Sequence, residues 1–204
     1  RDFDVAANKT HDEFWWGGSH KFSGPAKGDV PRIRKGLTSC EKRVLATDEW
    51  VIEKYAIDRD RVYLCGNSMG GQGALVYCRY AKRRPAACAA ISPVCDLPYH
   101  YTERPDLPRT IYLAYSHMDC SLSDAMESAS PLHLVPEMPD IPYALFCGTA
   151  DDQVSVAFHS DKFVAAMRAR GADVTYVTMP GMGHCGITPE EERRYYEFVS
   201  SFVL

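Results

Sequence analysis

The feature that most constrains the fold is a serine flanked by glycines where an apolar segment gives way to a helical one. The motif GNSMG at residues 66–70 follows the apolar run of residues 61–65 and opens a helical pattern over residues 69–81. Glycines on both sides remove the side chains that would block a tight strand-to-helix turn, and such a turn lifts a serine hydroxyl clear of the backbone. We therefore predict that Ser68 is a nucleophile at the amino end of a helix, and not part of a turn that serves packing alone.

The rest of the chain alternates short β-rich runs with longer helical patterns. Strands are predicted at residues 3–7, 61–65, 86–92, 142–147 and 173–179, and helices at residues 38–56, 69–81, 154–170 and 189–203. This alternation is typical of a mostly parallel sheet with helices on its faces. With the serine turn, it predicts an α/β-hydrolase fold in a single catalytic domain over residues 1–204. Residues 96–140 break the pattern, with a possible strand at 111–115, and predict an insertion or lid.

His184 and Asp151 are the predicted partners of Ser68. A serine hydroxyl needs a base, and in this architecture the acid and the histidine follow the serine along the chain, each after a strand. The segment PGMGH at residues 180–184 comes directly after the last predicted strand and places His184 on a loop there, and both Asp151 and Asp152 follow the strand before it. Asp151 is preferred because it lies three residues after Gly148, which ends that strand, whereas Asp152 suits a helix cap. The predicted role of Asp151 is to fix the imidazole tautomer and to stabilise the imidazolium.

The other histidines are interpreted as bystanders in loops or on helix surfaces. They are His11, His20, His100, His117, His133 and His159. Only for His133 does its neighbourhood suggest a local hydrogen bond.

The oxyanion hole can be predicted only in part. One donor is expected to be the backbone N–H of Met69, the residue after the nucleophile, while the second usually comes from a loop after an earlier strand, often marked His-Gly. No such motif occurs in the sequence. Either the chain lacks the N-terminal strands that carry this loop, which a start at Arg1 without an initiator methionine favours, or residues 8–18 supply the donor. The loss of one such donor costs about 10²–10³ in kcat.

Trp15 and Trp16 are two further candidate site residues, selected because large aromatic side chains are costly to leave exposed in a loop. They stand together in a polar loop beside two glycines. They either pack on the core or form an aromatic wall for a sugar or phenolic ring. Together with Asn67, which precedes the nucleophile, they are the predicted substrate-binding residues.

Charge and cysteine usage exclude several classes of function. A formal net charge of −4, with 25% charged residues, gives no sign of a basic surface for nucleic acid or an anionic membrane. No apolar run approaches the ~20 residues of a membrane span. The eight cysteines include no CxxC pair, so we expect neither zinc nor any other metal, and no organic cofactor is implied. The compartment cannot be read from the sequence.

Several segments also resemble a known family. The stretch RVYLCGNSMGGQGAL at residues 61–75 is similar to the nucleophile region of the esterase D, feruloyl-esterase and polyhydroxyalkanoate-depolymerase branch of the α/β-hydrolases. Residues 48–52, the segment GTAD at 148–151 with Val154, and GMGH at 181–184 are similar to that branch too. The resemblance spans residues 44–204 and implies the triad Ser68, Asp151 and His184. Prolyl-oligopeptidase-type peptidases share most of these motifs.

Three functions follow as hypotheses. The preferred one is a serine carboxylic-ester hydrolase acting on a carbohydrate-linked (feruloyl or acetyl) ester or on a small aryl or alkyl ester. Such an enzyme would be secreted or periplasmic if its substrate is a polysaccharide. The first alternative is a serine peptidase of the prolyl-oligopeptidase type, and the second is a non-catalytic binding module that has kept the fold.

Overall fold

The structure is a computed structural model, and it describes residues 39–81, 85–103, 126–127 and 129–201. The chain divides into two compact units. The first consists of Arg1–Tyr55 and Leu97–Ala129, and the second of Ala56–Asp96 and Ser130–Leu204. The predicted strands at 3–7 and 111–115 lie outside the described residues. The single domain with an insertion stays a prediction.

The helices and strands alternate along the described chain, with short 3₁₀ turns at Arg59–Arg61 and Val135–Glu137. In order they are α1 (Ser39–Tyr55), β1 (Tyr63–Asn67), α2 (Met69–Tyr80), β2 (Ala87–Ile91), α3 (Leu97–Glu103), β3 (Tyr143–Gly148), α4 (Ser160–Ala169), β4 (Val174–Met179) and α5 (Pro189–Ser200). Helices α1 and α3 belong to the first unit, and the other elements belong to the second. No helix among the described residues combines the length and the apolar character that a membrane span requires.

The second unit is built on a parallel sheet whose strands lie side by side in chain order, β1-β2-β3-β4. The register pairs Asn67 with Ile91, Ile91 with Phe146, and Phe146 with Val177. Because all the strands are parallel, their carboxyl ends meet at one edge of the sheet. The loops that carry the predicted site residues therefore emerge together at that edge.

Helices cover both faces of this sheet. On one face, α5 packs its Tyr195 ring edge to face against Phe146, with the ring centres 5.5 Å apart. On the opposite face, α2 lies against β2, and α4 lies against β4. There the Cys147 thiol donates a hydrogen bond to Ser160 Oγ at 3.0 Å. A parallel sheet between helical layers confirms the predicted α/β class.

Two elements begin at least two residues after their predicted starts. Strand β1 begins at Tyr63 and not at residue 61, because the Asp58 carboxylate accepts from Asp60 N–H at 3.0 Å and starts a 3₁₀ turn. Helix α4 begins at Ser160 and not at residue 154. Buried Val154 was interpreted as the start of the helical stripe, but its N–H donates to the Asp151 carboxylate, so residues 154–159 form turns.

The start of the last helix follows the prediction. Thr188 Oγ1 accepts from Glu191 N–H at 3.2 Å, and Pro189 occupies the first helical position. A proline costs nothing there, since the N–H that it lacks would have had no partner within the helix.

Candidate active site

Ser68 occupies a strained turn between β1 and α2. Its φ of +51° and ψ of −119° lie where side chains other than glycine are rarely found. Two hydrogen bonds hold it there: Ser68 N–H donates to Ile91 O at 2.8 Å, and Gln72 N–H donates to Ser68 O at 2.9 Å. Strain of this kind persists only where the surroundings over-determine the conformation, and it clusters at functional sites.

Gly66 of the motif and Gly71 beyond it are needed for this turn. Gly70 is not, because a Cβ there would meet no atom within 4 Å, so the expectation that glycines on both sides of the serine keep the turn clear was wrong for Gly70. A Cβ at Gly66 would overlap the carbonyl of Gly70, so no larger residue fits while the chain doubles back into α2. A Cβ at Gly71 would lie 3.3 Å from the Cβ of Ala90 on β2 and 3.2 Å from that of Pro93. The small residues thus let α2 press against the sheet, and its amino end stays fixed at Ser68.

Ser68, His184 and Asp151 form a continuous hydrogen-bonded chain. The distance from Ser68 Oγ to His184 Nε2 is 2.8 Å, and His184 Nδ1 lies 2.9 Å and 3.0 Å from the two Asp151 carboxylate oxygens. A carboxylate only accepts, so Nδ1 carries the ring proton and Nε2 is left to accept from the serine hydroxyl. This is the arrangement in which an imidazole can take a proton from serine.

The environment keeps the Asp151 carboxyl ionised. Its side chain is 1% exposed, against 15% for His184. Burial alone would raise the pKa of Asp151, but hydrogen bonds from Val154 N–H, His184 and Gln153 N–H together hold this pKa below its usual range. Asp152 beside it is exposed, and the aspartate on His184 Nδ1 is Asp151.

Hydrogen bonds connect the loop after β3 to the loop after β4. Ala150 N–H donates to Met182 O at 2.9 Å, and Gly181 N–H donates to Thr149 Oγ1 at 2.9 Å. Gly148 makes this approach possible, because a Cβ there would overlap the carbonyl of Met182. These contacts hold the loop of Asp151 against the loop of His184.

We expect Gly148→Ala to separate these two loops. The added methyl group has to displace the backbone at Met182, which should lower the free energy of unfolding by about 1–3 kcal/mol, the usual cost of overpacking. Gly183→Ala is the matched control, since a Cβ at Gly183 meets no atom within 4 Å. Urea unfolding of both variants checks this. Equal free energies of unfolding would show that the contact between Gly148 and Met182 is not a constraint.

The remaining predicted site residues are placed only in part. Met69 begins α2, so its N–H is among those with no partner within the helix, as an oxyanion donor must be. Asn67 ends β1 and is exposed. Trp15, Trp16 and the stretch 8–18 lie outside the described residues.

The histidines interpreted as surface bystanders include two that are buried. His159 is 0% exposed, and its Nδ1 accepts from the backbone N–H groups of Cys95 and Asp96 at 3.3 and 3.1 Å. It therefore fixes the chain that follows β2. His100 on α3 is also buried, whereas exposed His133 lies 3.8 Å from Asp96. The surface interpretation was wrong for His159 and His100.

Ser92 is a residue at the site that the sequence gave no reason to select. It follows β2, is 2% exposed, and its Oγ accepts from Cys185 N–H at 3.3 Å. Its only sequence signal is its position at the carboxyl end of a central strand, where α/β sheets carry their sites. Across the described residues, no group of histidine, cysteine and acidic side chains could hold a metal ion.

Known proteins share this architecture. Residues 34–204 match the sequence model of the prolyl oligopeptidase family. A curated relative, dipeptidyl peptidase family member 6 of Caenorhabditis elegans, is 26% identical over 168 residues, which is 78% of this chain and 22% of that protein.

Two solved structures show the same fold. A puromycin-hydrolyzing peptidase of Mycobacterium tuberculosis has a TM-score of 0.64 at 19% identity, covering 77% of this chain and 24% of that one. The acylaminoacyl peptidase of Pyrococcus horikoshii has a TM-score of 0.61 at 15% identity, covering 80% of this chain and 27% of that one. The chain thus has an α/β-hydrolase fold and spans about a quarter of the length of these proteins. The predicted kinship with the esterase D and feruloyl-esterase branch is not confirmed.

Proposed function

Because this chain belongs to the prolyl oligopeptidase family, we propose that it is a serine hydrolase of the peptidase type, which cleaves amide bonds through an acyl-enzyme. Ser68 is the nucleophile, His184 the general base and acid, and Asp151 the group that orients and stabilises the imidazole. The observation that carries the proposal is the chain of short hydrogen bonds from Ser68 Oγ through His184 to Asp151.

The reaction begins at the scissile carbonyl carbon. Ser68 Oγ attacks it as His184 Nε2 takes the hydroxyl proton, and the carbonyl oxygen becomes an oxyanion beside Met69 N–H. His184 then returns the proton to the leaving amine as the C–N bond breaks. Water repeats the sequence on the ester formed with Ser68, which releases the carboxylic acid and restores the serine. The adjacent Asp151 carboxylate stabilises the positive imidazolium in both halves.

The ester preference loses its main support at this point. It depended on the segment at residues 61–75, whose motifs peptidases share, and on Trp15 and Trp16. A serine triad chemically cleaves both esters and amides, so the substrate class depends on the residues around it. The catalysed cleavage of an amide is therefore the property that distinguishes the two proposals.

A substrate panel tests the peptidase proposal. We expect the purified protein to release p-nitroaniline from aminoacyl or peptidyl anilides, including a glycyl-prolyl anilide. Ser68→Ala serves as the blank in every assay. We also expect kcat/KM for the best anilide to be at least comparable with that for a feruloyl ester, although the amide is the less reactive bond. Turnover of the feruloyl ester with none of any anilide would favour the esterase, and turnover of neither would favour the binding module.

A further inference from the structure

Ser92 combines burial, backbone strain and a polar contact at the centre of the site. Its φ is +45°, in the region that favours glycine, and its side chain is 2% exposed. Ser68, the proposed nucleophile, and Cys185, which follows the proposed base His184, also have positive φ, at +51° and +54°. The three strained residues follow three different strands of the sheet, β1, β2 and β4.

The backbone around Ser92 is tied to the strands on both sides of β2. Ser92 N–H donates to Phe146 O on β3 at 2.9 Å. The carbonyl of Ile91, the residue before it, accepts from Ser68 N–H at 2.8 Å. The position of Ser92 is therefore fixed relative to the nucleophile turn.

The hydroxyl of Ser92 connects this fixed point to the loop after β4. Ser92 Oγ accepts from the N–H of Cys185, the residue that follows His184, at 3.3 Å. Glycine would adopt a φ of +45° without strain, but glycine has no hydroxyl. A serine at this position therefore accepts backbone strain and supplies a hydrogen bond to the histidine loop.

We infer that Ser92 is a positioning residue whose hydroxyl fixes the backbone next to His184 and thereby the approach of Nε2 to Ser68 Oγ. The inference rests on the proposed function, in which His184 is the base. Among the residues that the structure describes, no other side chain accepts a hydrogen bond from the backbone of His184 or Cys185. Without this bond, the loop is expected to sample positions in which Nε2 is too far from the serine, and fewer encounters lead to proton transfer.

Two substitutions separate positioning from a structural role. Ser92→Ala removes the hydroxyl and keeps the strained backbone, whereas Ser92→Gly removes the hydroxyl and relieves the strain. If Ser92 served stability alone, activity would follow the free energy of unfolding, and the glycine variant would be the more active one. If Ser92 positions the base, both variants lose activity although their stabilities differ.

The kinetic test compares kcat, KM and urea unfolding for both variants. We expect kcat to fall about fivefold or more in each, the factor that corresponds to one neutral hydrogen bond, with KM unchanged and with Ser92→Gly more stable than Ser92→Ala. Ser160→Ala is the matched control, because it removes another buried hydroxyl beside β3, one that accepts from the Cys147 thiol. Wild-type kcat in Ser92→Gly would overturn the inference.

A second readout does not depend on turnover. The proton on His184 Nδ1, held by the Asp151 carboxylate, should give a far-downfield NMR resonance. We expect this resonance to shift or broaden in both Ser92 variants and to stay unchanged in Ser160→Ala. If the wild-type protein hydrolysed no substrate, the proposed function would fail while this resonance still tested the positioning. An identical resonance in the wild type and both Ser92 variants would overturn the inference that Ser92 positions His184.

Discussion

Ser68→Ala should lower kcat for hydrolysis by on the order of 10⁴-fold or more and leave the fold intact. Without Oγ no acyl-enzyme forms, and His184 can at most activate a water that is not held in the attacking position. The fold should tolerate the change, because alanine keeps the Cβ and adds no group to a turn already held by backbone hydrogen bonds to Ile91 and Gln72. Steady-state kinetics measures the loss of kcat, and thermal unfolding checks that the fold is retained.

Ser160→Ala is the control for this experiment too. It removes a buried hydroxyl from the same unit, and it should retain wild-type kcat. If Ser68→Ala kept more than about a hundredth of the wild-type kcat, with contaminating hydrolases excluded, another group would have to be the nucleophile.

Asp151→Asn should lower kcat by about 10⁴-fold, the loss typical of a triad in which an amide replaces the carboxylate and leaves the histidine in the wrong tautomer. The amide can still accept from Val154 N–H, so the loop should persist. What disappears is the negative charge 2.9 Å from His184 Nδ1 that stabilises the imidazolium. Because the pKa of Asp151 lies below its usual range, this carboxylate is ionised throughout the span from about pH 5 to pH 8, and the effect should persist across it.

Asp152→Asn is the neighbouring control. The Asp152 side chain is exposed. We expect the kcat of Asp152→Asn to stay within about twofold of the wild-type value, as is usual for a surface charge away from the reacting atoms. Equal losses in the two variants would mean that the loop, and not the charge on the histidine, determines the rate.

The sequence was most informative where a local pattern carries the chemistry. Gly66 is required by a turn of a few residues, so the local motif indicates both the turn and its serine, although Gly70 on the other side has room for a side chain. The order of serine, acid and histidine, each after a strand, then predicted Asp151 and His184 as partners of Ser68, and the structure brings these three side chains together. The alternation of strands and helices predicted the sheet because each segment is long enough to show the spacing of apolar residues typical of a strand or of a helix.

The sequence was least informative where a partner is distant. His159 accepts from Cys95 N–H across 64 residues, and nothing beside it in the chain indicates that contact. Ser92 was missed for the same reason, since a serine after a strand has no local pattern. Residues 154–159 were predicted as helix but form turns. A buried apolar residue such as Val154 is compatible both with a loop that packs on the core and with the first turn of a helix, so the sequence does not distinguish the two.

The substrate class was not encoded in the motif. In the proposed mechanism Ser68 attacks a carbonyl carbon, and this step is common to esterases and peptidases. Family membership favours the peptidase.

Covalent labelling with a fluorophosphonate tests the central claim most directly, because the probe reacts with a serine that has an activating base. The account predicts that intact-mass analysis shows one added phosphonyl group, that peptide mapping places it on Ser68, and that His184→Ala largely abolishes the labelling. No labelling of the folded wild-type protein, or a label on a serine other than Ser68, would contradict it.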